Sequence, residues 1–187
     1  MTESILCSII GIVGSLLGVV LGWILNALSK KGKLHFYVSN LDYQFVKEDG
    51  YGGFINGSNI DESTNFNCNL SLDIYNSSGD ILVMRNVQII FQKKEEVIWK
   101  HSPYDKCTMQ SCGAINTYDE VQPTNVVPKS VYKIELFSLI ESSQMEFNRL
   151  IDTDCVYLSY LDRSNKEKKI MLSKMNLNDF FNKEKSV

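Results

Sequence analysis

Asn67-Cys68-Asn69-Leu70-Ser71-Leu72-Asp73-Ile74-Tyr75 decides the fold. Cys68, Leu70, Leu72 and Ile74 fall on one side of a pleated chain, and Asn69, Ser71, Asp73 and Tyr75 on the other, as in a strand with one buried face. Asn76-Ser77-Ser78-Gly79-Asp80 follows, a cluster of turn formers. The alternation resumes at Val87, Ile89 and Phe91, with Glu95 to Trp99 returning beside it. Tyr132, Ile134 and Leu136 mark a further strand after Pro123 and Pro128. Val156, Leu158 and Tyr160 alternate up to the polar turn Asp162 to Glu167, beyond which Ile170 and Leu172 complete a hairpin. Strands separated by polar turns, without helices between them, predict an all-β domain, an antiparallel immunoglobulin-like β-sandwich. The capping box Ser143-Gln144-Met145-Glu146 predicts a short helix through Leu150, and Asn178 to Lys183 a second helical turn. The competing arrangement is a mixed α+β domain built around the Ser143 helix.

Upstream, Ile5 to Leu28 contains no charged residue and is followed at once by Lys30, Lys31 and Lys33. A helix over this run is about 36 Å long, enough to cross a hydrocarbon core of about 30 Å. The start Met1-Thr2-Glu3-Ser4 lacks the basic region of a cleaved signal peptide, and the first polar break after Ser15 is Asn26, unlike an amphipathic core helix. The expected organisation is a transmembrane anchor over 1–29 and a soluble β-sandwich over 30–187. Lysines crowd the downstream flank, so the expectation is a single-pass plasma-membrane protein with its amino terminus outside and its β domain cytoplasmic. Gly14, Gly18 and Gly22 recur every fourth residue and mark a helix-association face, through which the chain would pair with itself or another span.

All 19 Lys and Arg, and every one of the 22 acidic residues except Glu3, lie beyond residue 29. A domain so nearly balanced has no basic face for nucleic acid. Five cysteines include Cys7 in the apolar run and Cys68 and Cys155 in the alternation, where reduced thiols act as small hydrophobes. The two histidines are His35, in a strand-like run, and His101, in the loop that also holds Asp105, Cys107 and Cys112. That loop is the best nucleophile or metal candidate, but the five-residue spacing of its cysteines is not that of a CxxC site. Asp152-Thr153-Asp154 supplies too few ligands for a divalent cation alone. Nucleotide-binding, zinc-protease and hydrolase signatures are absent from the sequence. No cofactor and no catalytic activity are expected. The candidate partner surface is the aromatic, glycine-rich stretch Tyr43 to Phe54, through Tyr43, Tyr51 and Phe54, joined at one end of the sandwich by Tyr104 and Tyr118.

The run Ile10 to Trp23, the following Lys31-Gly32-Lys33-Leu34, the Tyr51-Gly52-Gly53 loop and Leu70 to Ser78 resemble small single-pass membrane proteins of Gram-positive bacteria that carry a C-terminal β-rich domain. That resemblance implies a bacterial plasma membrane and a β domain without a defined activity. The expected function is a membrane-anchored β-sandwich that acts as an interaction or sensing module, its partners the lipid bilayer and an unidentified protein. Two alternatives stand beside it: a membrane-active effector whose glycine-faced helices assemble and perturb the bilayer, and an enzyme or redox/metal site on the His101 and Cys107 loop.

Overall fold

The computed structural model describes residues 2–50, 53–56, 60–113, 115–143 and 147–174. In chain order the elements are α1 (Thr2–Lys30), β1 (Leu34–Glu48), β2 (Phe54–Asn56), β3 (Asn65–Asn76), β4 (Leu82–Lys93), β5 (Glu96–His101), β6 (Tyr104–Asp105), β7 (Gln110–Cys112), β8 (Ile115–Thr117), β9 (Thr124–Val126), β10 (Val131–Glu141), α2 (Phe147–Ile151), β11 (Cys155–Leu161) and β12 (Glu167–Lys174). One sheet runs β2-β1-β3-β10-β6 and the other β12-β11-β4-β5, with β9 pairing the start of β4. Every pairing is antiparallel.

The two sheets meet through the residues that the alternation turns inward. Cys68, Leu70, Leu72 and Ile74 of β3, with Ile134, Leu136 and Ile140 of β10, pack with Val87, Ile89 and Phe91 of β4 and Val156 and Leu158 of β11. Phe66 meets Phe91 edge-on, with ring centroids 5.8 Å apart and planes at 79°. α2 closes this end of the core with Phe147, Leu150 and Ile151, Phe147 lying 5.3 Å from the Phe45 ring. Each such side chain removed from water contributes roughly 1.5–3 kcal/mol, which is why the sandwich needs no disulfide. Cys68, Cys107, Cys112 and Cys155 are all free thiols, and Cys68 is fully buried. The sandwich is as expected from the alternation, including the β11–β12 hairpin and the inward Phe147 and Leu150. Gln144 to Glu146 of the capping box and the turn expected at Asn178 to Lys183 lie outside the described residues.

α1 stands apart from this core. Its segment Cys7–Lys30 is long and apolar enough to cross a membrane, and none of it is buried against the protein. It meets the sandwich at its carboxyl end, where the Gly79 N–H donates to the Ser29 carbonyl at 2.8 Å.

Candidate functional site

The outer face of the first sheet, on the half remote from α1, carries a groove. Strand register sets Asn67 opposite Leu139, Asn69 opposite Phe137, and Phe137 opposite Tyr104, so amides, apolar side chains and a phenol form one continuous floor. Phe54 of β2 stands at one side; at the other, the chain leaving β8 lays Tyr118 on Phe137, ring centroids 5.2 Å apart. This open groove has a volume of about 810 Å³, within the range of roughly 300–1,000 Å³ typical of ligand clefts. Lys106 donates to Asn69 Oδ1 at 3.1 Å, while Asn67 Oδ1 is buried with no hydrogen-bond partner among the described residues. The groove therefore offers aromatic and apolar walls, with a cation at its rim.

Three of the five residues expected on a partner surface converge here: Phe54, Tyr104 and Tyr118. Tyr51 lies outside the described residues. Tyr43 requires a correction, because it sits inside β1 at 2% exposure, packed between Phe66 and Phe91. Burial, with the neighbouring Cys68 second, pushes its phenol far above the ordinary range. The glycine-rich loop thus begins only after Glu48, and Phe45 and Val46 also belong to the interior. Gly14, Gly18 and Gly22 line α1, and a methyl group added at any of them meets nothing within 4 Å.

Asn67, Asn69, Phe137 and Leu139 escaped the sequence reading. The signal was present in Leu136-Phe137-Ser138-Leu139-Ile140, where apolar residues occupy both phases of the strand and so mark a sheet covered on both faces.

His101 Nε2 has no hydrogen-bond partner among the described residues, so no such bond joins it to the Cys107 thiol. His101 packs edge-on against Tyr104, centroids 6.1 Å apart, and partial burial lowers its imidazole, with Glu120 opposing. The Cys107 thiol is raised by desolvation and by the Asp105 and Glu135 carboxylates, opposite to what an activated thiolate requires. Among the described residues no three His, Cys, Asp or Glu side chains gather closely enough to hold a metal ion. Asp152 and Asp154 instead hold the β4–β5 turn: Asp152 pairs with Lys93 at 2.7 Å and Asp154 accepts from the Lys94 N–H at 2.9 Å.

The sandwich as a whole is matched by the family model of the YopI Ig-like domain, over residues 32–173. The SPbeta prophage-derived uncharacterised protein YopI of Bacillus subtilis (strain 168) is 27% identical over 165 residues, which cover 87% of this chain and 92% of that protein. Among solved structures, a Bordetella pertussis protein described as ApaA aligns with a TM-score of 0.37 and 11% identity, over 77% of this chain and 91% of that one. An uncharacterised β-sandwich protein from Clostridium difficile 630 aligns with a TM-score of 0.33 and 10% identity, over the same shares. With the model matching from the start of β1 to within a residue of the end of β12, this chain belongs to the YopI Ig-like domain family.

Proposed function

We propose that this chain is a single-pass membrane protein whose Ig-like domain is a non-catalytic recognition module, with the groove on its first sheet receiving an extended segment of a protein partner. The observation that carries this reading is the gathering of Phe54, Tyr104 and Tyr118, from three separate segments, around one groove of about 810 Å³. Aromatic side chains supply large contact areas at small entropic cost. In this reading α1 anchors the module at the bilayer, the lysines after the apolar run favour a cytoplasmic β domain, and Gly14, Gly18 and Gly22 offer a face for pairing two such helices.

The test is a photoreactive amino acid placed at Thr117, which lines the groove, and separately at Val97, exposed on the second sheet. A discrete protein adduct from Thr117 alone, lost in Tyr118→Ala, is the expected result. Equal labelling from both positions, or labelling indifferent to Tyr118→Ala, refutes the groove as the recognition surface. Orientation is tested by a membrane-impermeant maleimide on intact cells, since Cys107 and Cys112 are exposed free thiols. Protection until lysis is expected; labelling before lysis places the domain outside.

A further inference from the structure

The end of the sandwich nearest α1 carries the joint between helix and domain. Three residues separate α1 from β1, and the joint is closed by backbone. The Ser77 N–H donates to the Lys33 carbonyl at 3.1 Å, the Lys33 N–H returns a bond to Ser77 Oγ at 3.1 Å, and the Gly79 N–H reaches the Ser29 carbonyl at 2.8 Å. Gly32 lies so close to Ser78 that an added Cβ would stand 2.5 Å from its Cα. These hydrogen bonds clamp the domain to the end of the helix.

This clamp fixes a depth. If α1 spans a bilayer, Ser29 lies within half a turn of the last apolar residue, Leu28, at the boundary of hydrocarbon and headgroups. The turn hydrogen-bonded to Ser29 then lies at headgroup level as well. Immediately beside it, the register Leu82 opposite Val126 brings Ile81 next to Val127, and these two side chains are 50% and 56% exposed. Val131, 64% exposed, follows across the turn whose Ser130 carbonyl accepts from the Asn76 N–H. Exposed Lys129, whose ammonium donates to the Ser77 carbonyl, joins Lys30, Lys31 and Lys33 around this turn, beside Asp80. Aliphatic side chains ringed by lysines at headgroup depth have the composition of an interfacial membrane contact.

We propose that this end of the sandwich is a second lipid-contacting surface, in which Ile81, Val127 and Val131 enter the headgroup region and the lysines hold anionic phospholipid headgroups. The inference rests on the reading of α1 as a transmembrane helix. It gives the domain one attitude on the membrane, with the groove on the half of the sandwich remote from it.

The full chain is reconstituted into phosphatidylcholine vesicles, with and without phosphatidylglycerol, bearing a photoreactive amino acid at Val127 or at Glu95 in the turn at the opposite end. The expected result is lipid adducts at Val127 several-fold above those at Glu95, rising with phosphatidylglycerol and suppressed by Ile81→Glu. Equal yields at the two positions overturn the proposal, as does an adduct of Val127 with a second copy of the chain, which would make this end a protein interface. Alkaline carbonate extraction separates the two readings. A chain released by carbonate was never spanning, and both readings fail; a chain retained by the vesicles without lipid adducts at Val127 loses only the contact proposed here.

Discussion

Ser138 occupies an inward position of β10 between Leu136 and Ile140, fully buried opposite Cys68, and its hydroxyl has no hydrogen-bond partner among the described residues. A buried polar group left unpaired costs roughly 1–3 kcal/mol, offset in part by the packing its oxygen provides. Ser138→Ala is therefore expected to be neutral or up to about 1 kcal/mol stabilising, read as an unchanged or raised urea midpoint in the emission of Trp99; a lowered midpoint would reveal a bond the hydroxyl makes. The same scale explains why Tyr43 was misread from sequence. Leu34 and Phe36 pack against the core in one phase of β1, and Leu41, Tyr43 and Phe45 in the other. The phase changes at the irregularity between Val38 and Asn40, where one extra residue shifts the pairing with β3. A bulge of this kind leaves no mark in composition, so a tyrosine beside a glycine-rich loop resembled a surface residue. Cys68 to Ile74 have no such interruption, and all four inward positions were legible.

At the scale of elements, strands and hairpins were readable because each has one dry face, whereas contacts between elements distant in sequence were not. The clamp at the end of α1 is the clearest instance. Ser29, Gly32, Lys33, Ser77 and Gly79 are ordinary turn and cap residues until the fold brings them together. Gly32→Ala would place a methyl group against the Ser78 backbone and force the joint apart. Trypsin is expected to cut the variant faster at Lys31 and Lys33 than the parent chain in detergent, while Gly14→Ala, which meets nothing, leaves the rate unchanged. Equal rates for Gly32→Ala and the parent would mean that the clamp does not protect the joint. The β11–β12 turn offers a pH-dependent test. The Lys166 N–H, first, and the Ser164 N–H both donate to Asp162, which holds its carboxyl below the ordinary value of 3.8. A depressed carboxyl stabilises the fold in full above its unfolded value and loses that contribution as pH falls through the folded one. Asp162→Asn is therefore expected to lower the melting temperature near neutral pH and to converge with the parent chain only as pH falls from about 3.9 through the lower folded value. A constant difference across that range would show that the charge of Asp162 contributes nothing.

For the molecule as a whole, the groove and the helix-proximal end lie on opposite halves of one sandwich, and the apolar span of α1 leaves it without packing on it. What α1 does for the whole must then come from lipid or from another molecule. Gly14, Gly18 and Gly22 make the distinction measurable, because an added Cβ meets nothing within the chain at any of the three. Sites without shared contacts act additively, so Gly18→Leu should leave the unfolding of the sandwich unchanged within about 0.5 kcal/mol. If two helices pack along this stripe, their backbones approach closely there, and a leucine on the axis of contact forces them apart. In vesicles, Gly18→Leu is expected to lower the yield of cross-linked dimer several-fold, and Gly22→Leu likewise, whereas Leu17→Ala, on another face, leaves it intact. Loss of dimer with an unchanged melting temperature assigns the glycines to association between copies. A dimer yield indifferent to both glycine substitutions would mean that the helices do not pair through this stripe and that α1 acts as a single-helix tether for the groove.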